Sequence, residues 1–469
     1  MVSFLLSIVA LLLGYFFYSK VVDKAFGIDE SIETPAIRLE DGVDFVQMPL
    51  WKIFLIQFLN IAGLGPIFGA IAGALWGPAA FLWIVFGSIF AGGVHDYFSG
   101  MLSVRHDGVS IPEVVGMYLG TGFKNFMRIF SVIVLVLVGV VFLTGPAGLL
   151  AGLTPDYLTK GVWIYIIFGY YILATLIPVD KLIGKVYPVF GICLLIMAVG
   201  VGGGILFGNY TIPEITLANL HPGELPIWPM MFVTIACGAI SGFHATQSPM
   251  MARCITSEKQ GRAVFYGAMI AEGIVALIWA AAAMTFFGST GALAEYMAGN
   301  GGQGGVVTII SNTLLGRVGG LLAILGVIAA PITSGDTAFR SARLTVADFL
   351  NFKQGPIKNR LALTVPLFMI AFSLTKIDFN IIWRYFAWSN QTLAMVVLWT
   401  AAMYLAVRKQ LHWIATVPAT FMTAVSITYI LVAPEGFQLA TTIAYPAGIV
   451  AAVAALVWFL TVAKKKTQA

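Results

Sequence analysis

The sequence predicts an all-α polytopic membrane protein of about 13 transmembrane helices with a five-plus-five inverted-repeat core. Three observations predict it. Hydrophobic residues make up 59% of the chain and charged residues only 10%, with a mean hydropathy of +0.93; a soluble chain carries roughly 25% charged residues. Apolar runs of about 20 residues, the length of a membrane-crossing helix, recur to the end of the chain, whereas barrel strands would be about 10 residues with alternation. Two of these runs are interrupted by Gly and Pro, and they lie five spans apart.

Thirteen spans are expected, near 2–18, 51–76, 78–104, 127–152, 162–178, 184–207, 227–250, 262–288, 316–340, 360–375, 379–407, 411–433 and 440–463. The first is apolar from its start and its first basic residue is Lys20. That order suits a retained helix, since a signal peptide begins with a basic region. Placing the N-terminus outside puts 22 of the 26 Lys and Arg residues in inner loops, among them Lys181, Lys185 and the tail Lys464, Lys465 and Lys466. This bias sets the orientation, with the C-terminus cytoplasmic in a prokaryotic inner membrane. The net charge of +5 lies between apolar runs and implies no nucleic-acid partner. Cys193, Cys237 and Cys254 are scattered, against a disulfide framework or zinc site.

The second span runs from Leu50 to Ile61, breaks at Ala62-Gly63-Leu64-Gly65-Pro66 and resumes to Trp76. Proline lacks an N–H, and backbone groups freed at a break find no water in lipid. Half-helix N-termini suit anions and C-termini suit cations, so Gly63, Gly65 and Pro66 are candidate substrate-binding positions. The plainer alternative is a proline kink packed through small residues. The third span carries His95 and Asp96, candidates for proton coupling because intramembrane ionisable groups are costly unless they have a task. The alternative is that the span ends sooner and Asp96 caps it near Arg105. After it, Ser110 and Pro112 predict the N-cap and first turn of a short interfacial helix.

The seventh span is broken over 238–249. Its Ser241, Gly242, His244, Thr246 and Gln247 are too polar for a lipid face and are read as lining the substrate, although a lone His is more often a satisfied interior residue. Glu272 is a single buried acid in the eighth span. Residues 289–315 are Gly-rich, with room for a short outer helix near 306–315. The ninth span crowds Thr333, Ser334 and Asp336 together; such oxygens suit a hard cation or a protonated group, and Asp336 joins His95 and Asp96 as a candidate for proton coupling, while Asp336 and Arg340 also stand at i,i+4 and can pair. Ser389 and Asn390 in the eleventh span either line the site or bond between helices. An offset of five makes the two broken spans run in opposite directions. Paired interruptions of this kind are the best sequence pointer to a transporter's substrate site. The chain then divides into 1–49, a first repeat over 50–208, a second over 226–410, and two C-terminal helices over 411–469.

Cofactor motifs are absent: there is no CxxC pair, no Walker loop and no GxGxxG opening a strand–helix unit. No nucleophile–base pair beyond the His-Asp neighbours suggests an enzyme, and paired breaks in one chain favour an occluded site over a channel filter.

The runs Asn60 to Ala70, Gly92-Gly93-Val94-His95-Asp96-Tyr97, Arg105-His106-Asp107-Gly108, Ser241 to Pro249 and Thr333 to Arg340 resemble the carbon starvation protein A (CstA) family. The resemblance implies a secondary transporter of the amino acid-polyamine-organocation superfamily with a LeuT-like core. It implies uptake of peptides or of pyruvate, with proton coupling in the pyruvate cases. It also implies a cation site between the first and eighth core helices, here Ala62, Gly63, Thr333 and Ser334, should the chain use sodium. The expected function is ion-coupled uptake, with H+ the first choice and a sodium-coupled amino-acid or peptide symporter the alternative. The expected partners are a small-molecule substrate and the lipid bilayer.

Overall fold

The computed structural model describes residues 1–42, 44–176, 179–350, 352–353 and 356–468, with the backbone alone at 175–176, 179–188, 318, 322–323 and 468. The side chains of Lys181 and Lys185 therefore lie outside the described ones. Among the described residues every regular element is helical, as a chain without water around its backbone requires.

The first half holds α1 (Val2–Phe26), α2 (Leu50–Ile61), α3 (Gly65–Trp76), α4 (Ala79–Arg105), α5 (Ile111–Leu119), α6 (Thr121–Leu153), α7 (Lys160–Leu176) and α8 (Val179–Phe207). The second half begins with a short helical piece, α9, over 227–234, followed by α10 (Gly242–Ala252), α11 (Glu258–Phe286) and α12 (Thr290–Gly299). Next come α13 (Gly302–Leu350), which bends at Gly316 where φ is +67°, and α14 (Ile357–Leu374). The chain ends with α15 (Phe379–Val407), α16 (Trp413–Val432) and α17 (Thr441–Gln468).

Ten described helices are long and apolar enough to cross a membrane, and the bent pair α2–α3 makes eleven. The other two expected spans take different forms. The one expected at 162–178 is the 17-residue α7, at the short end of a crossing helix. The one expected at 227–250 is α9 and α10, separated by a stretch without regular structure. The first helix runs on past 18 to Phe26. The outer helix expected near 306–315 is the start of α13, and α12 precedes it in the same Gly-rich segment. Ser110 does occupy the N-cap of α5, with Pro in the first turn, but its side chain makes no capping bond.

Both breaks are present, and the second lies elsewhere than expected. The first spans residues 62–64 and turns the helix by 53°. The second covers 235–241, not 238–249: helix resumes at Gly242 and Pro249 lies inside α10. The shift has a physical cause in the neighbours of 235–241, which supply both hydrogen bonds and space. Trp83 Nε1 donates to the carbonyl of Ile235 at 3.0 Å, and Ser88 Oγ to that of Gly238 at 3.1 Å.

Space comes from glycines. Gly65, Gly69 and Gly73 recur every four residues along α3, a small-residue face that lets helices meet closely. A Cβ on Gly65 would stand 2.3 Å from Cβ of Cys237, one on Gly73 2.2 Å from Ile235, and one on Gly69 3.1 Å from the carbonyl of Thr234. From the other side, a Cβ on Gly92 would stand 2.3 Å from the carbonyl of Ala239. The two breaks are thereby pressed together, with Gly238 near Pro66.

Gly65→Val is expected to lower the thermal midpoint of the purified protein, because overpacking of this kind costs about 1–3 kcal/mol. Gly122→Ala, whose new Cβ meets nothing within 4 Å, is expected to leave it in place. A melt followed by size-exclusion fluorescence checks both, and an unshifted Gly65→Val midpoint would contradict the close packing.

Candidate functional site

α4 supplies His95 and Asp96, α10 supplies His244 in its first turn, and α11 supplies Glu272; all four side chains are wholly buried. His95 Nδ1 lies 2.7 Å from Asp96 Oδ1, and His244 Nδ1 lies 2.8 Å from Asp96 Oδ2. With Asp96 ionised, each imidazole donates its Nδ1–H to one carboxylate oxygen. The far side of His244 faces a second acid: Nε2 is 3.3 Å from Glu272 Oε2, close in distance but without hydrogen-bond alignment. A hydrogen bond across that edge would need a proton, carried either by His244 as an imidazolium opposite an ionised Glu272 or by Glu272 opposite a neutral ring.

The second break is capped from α15. Asn390 Nδ2 donates to Ser241 Oγ at 2.7 Å, and its Oδ1 accepts from the N–H of Phe243. A Cβ on Gly242 would stand 2.4 Å from the Asn390 carbonyl. Gln391 Nε2 donates to the carbonyl of Phe232. Ser389 is buried beside Asn390. Thr246 Oγ1 donates to the carbonyl of Phe243 at 2.6 Å and accepts from Gln247 Nε2 at 2.9 Å, leaving Gln247 Oε1 buried without a partner among the described residues.

At the first break, Gly63 is covered by the ring of Phe142, 2.7 Å from where its Cβ would stand, while Gly65 and Pro66 face Cys237 and Gly238. Gly63 donates its N–H to the carbonyl of Ile61 at 2.9 Å, and Ala62 to that of Phe58 at 2.8 Å. Ser334 Oγ approaches the carbonyl of Leu59 at 3.3 Å and donates to Ala330 at 2.9 Å; Thr333 Oγ1 turns back onto Ala330 at 2.8 Å. Asp336 sits apart from the histidines with Arg340, at 3.6 Å and nearly buried. That is the i,i+4 pairing. Gln57 and Asn60, three residues apart on α2, are buried with no side-chain partner among the described residues. Gln391, expected to line the site or bond between helices, makes the interhelical bond, whereas the amides of Gln57 and Asn60 and the anchors Trp83 and Ser88 have no role in the sequence reading. Their signal was only that of polar atoms in apolar runs.

Two cavities flank this region. One of about 730 Å3 is lined by Phe68, Thr144, Lys160, Gln303 and Asn380; the other, of about 220 Å3, by Ser110, Thr246, Arg253 and Arg340. A chain of ring contacts, Phe68–Trp383–Phe386–Phe142–Phe243, runs from the first towards the second at centroid distances of 6.0, 5.6, 6.3 and 5.8 Å. At the end of α4, Arg105 grips buried Glu258, with Nη2 at 2.7 Å from Oε2. Glu113 on α5 pairs with Lys124 and Arg128. Burial pushes the Glu113 carboxyl up, but these two cations hold it below the usual carboxylate range.

Residues 1–154 and 150–293 match the family model described as carbon starvation protein CstA. An uncharacterized membrane protein of Haemophilus influenzae is 44% identical, over 63% of this chain and 94% of its own. The Escherichia coli peptide transporter CstA is 24% identical over 90% of this chain and 79% of its own. The pyruvate/proton symporter BtsT of the same organism is 26% identical over 58% of this chain and 47% of its own. In three dimensions the chain is similar to a manganese transporter of Eremococcus coleocola, with a TM-score of 0.53 over 92% of this chain and 99% of that one, at 12% identity. That likeness concerns the fold alone. With the family model matched over more than half of its length, the chain belongs to the carbon starvation protein CstA family.

Proposed function

We propose that this chain is a proton-coupled secondary transporter that takes up a small carboxylate such as pyruvate, or short peptides, under nutrient starvation. It is a membrane transporter and not an enzyme. The observation that carries the coupling is the buried run His95–Asp96–His244–Glu272, whose third member stands in the first turn after the second break. Two acids share one imidazole. Removing the proton between His244 and Glu272 leaves two buried anions around a neutral ring, which is costly in a dry setting. The cluster therefore holds that proton while closed and releases it where water reaches the site. The names of the two Escherichia coli relatives, a peptide transporter and a pyruvate/proton symporter, support the substrate classes.

In this reading spans 2–6 and 7–11 form LeuT-like inverted repeats within thirteen spans, with the N-terminus outside and the C-terminus cytoplasmic. The substrate binds where the breaks meet, between Gly63–Pro66 and Ser241–Gln247, after the ring chain from Phe68 to Phe243 parts. Binding of an anion there favours the loosened backbone N–H groups. A sodium-coupled reading is favoured by one observation, the approach of Ser334 Oγ to the carbonyl of Leu59 at the first break.

Asp96→Asn and Glu272→Gln are each expected to reduce proton-driven accumulation in proteoliposomes to background while substrate exchange at equal pH persists. Labelled pyruvate, a labelled dipeptide and an internal pH dye measure this; unaltered accumulation by both variants would remove the cluster from coupling. Replacing sodium with choline at fixed pH gradient is expected to leave the initial rate unchanged. A rate that collapses in choline would favour the Ser334 site instead.

A further inference from the structure

We infer that the 730 Å3 cavity is an entry site for small carboxylates, separate from the place where the breaks meet; the inference rests on the carboxylate reading above. Among the described residues Lys160 is the one charged residue that lines it. The N-terminus of α13 opens on the same space, through Gly302, Gln303 and Gly304. Gly301 and Gly302 have φ of +79° and +65°, so the chain turns sharply into the helix there. The first-turn N–H groups of a helix have no intrahelical acceptors and attract anions. This helix runs fourteen residues to its bend at Gly316.

A second observation points to a ligand. Gln303 lines the cavity at only 8% exposure, and its side-chain amide makes no hydrogen bond to any described residue. It offers a donor to the same space as Lys160. Asp378, next to the far wall, accepts from the N–H of Asn380 at 2.9 Å and so caps α15, and its charge also acts on Lys160, so an incoming carboxylate shares that cation with it. Phe68 and Phe379 give the cavity apolar walls that suit a short acyl chain. Phe68 is also the first ring of the chain leading to Phe243. A carboxylate held by Lys160 and Gln303 thus waits at the ring that must move for it to pass.

Equilibrium binding of labelled pyruvate to the purified full chain tests this, with Lys160→Gln, Lys160→Arg and Gln303→Leu alongside. Affinity is expected to fall about tenfold in Lys160→Gln and in Gln303→Leu, as when a hydrogen bond to a charged group is removed. Lys160→Arg is expected to keep it, and the uncharged methyl ester of pyruvate not to compete. Wild-type affinity in both Lys160→Gln and Gln303→Leu, or no binding to the wild type, overturns the site. Lys160 is exposed at the rim, so Lys160→Gln keeps the test open if Gln303→Leu fails to fold. Uptake into proteoliposomes separates the two readings. Affinities that fall as expected in a protein that does not accumulate pyruvate leave the entry site standing and sink the transport reading; unchanged affinities in one that does accumulate it sink the entry site alone.

Discussion

The rest of the structure depends on seven residues, 235–241, that cross the middle of the bundle without being a helix. Lipid offers their backbone nothing, so every carbonyl and N–H there must find a partner from the protein. Trp83 and Ser88 of α4 serve the carbonyls, and Asn390 of α15 serves the N-terminus of α10. Close approach is the second condition. It is met by the glycines of α3 and by Gly92, where any side chain would collide. Helix packing in this protein is thus set by what an unwound strand of chain requires, and the small residues follow from it.

The same helix that holds the break also holds the charge. α4 reaches Gly238 through Ser88 and His244 through Asp96, two helical turns further on. One contact lies within the break and the other in the first helical turn after it. A change in the protonation of Asp96 or Glu272 alters the attraction on His244, and His244 belongs to the first turn that the break releases. Proton binding and backbone geometry are therefore joined by direct contacts and need no long pathway. This is the kind of two-state element through which a bound ion can bias access to one side.

Much of this was legible in the sequence. Composition and apolar runs gave the membrane class, and Gly63–Pro66 marked the first break because proline and glycine act locally. His95 and Asp96 stood out because ionisable residues are rare in such runs. The second break was misplaced by several residues, since Pro249 looked like its cause and is tolerated inside α10. Its real determinants, Trp83, Ser88 and Asn390, are 147 to 152 residues away in sequence. No local pattern reports a partner at that distance. Glu272 read as a lone acid for the same reason. Only folding brings it to His244.

The two breaks are not equivalent. The first is three residues long, makes local backbone bonds, and faces the hydroxyl of Ser334 and the ring of Phe142. No charge is placed on it. The second is longer, is held by side chains of two other helices, and leads directly into the acid–imidazole run. In the proton-coupled reading proposed above, a negatively charged substrate placed where they meet would find neutral backbone on one side and the acid–imidazole run on the other. Its own charge then acts on that cluster: an anion near His244 favours the arrangement with more protons bound. Substrate and proton would each make the other's binding easier, which is the thermodynamic condition for moving together.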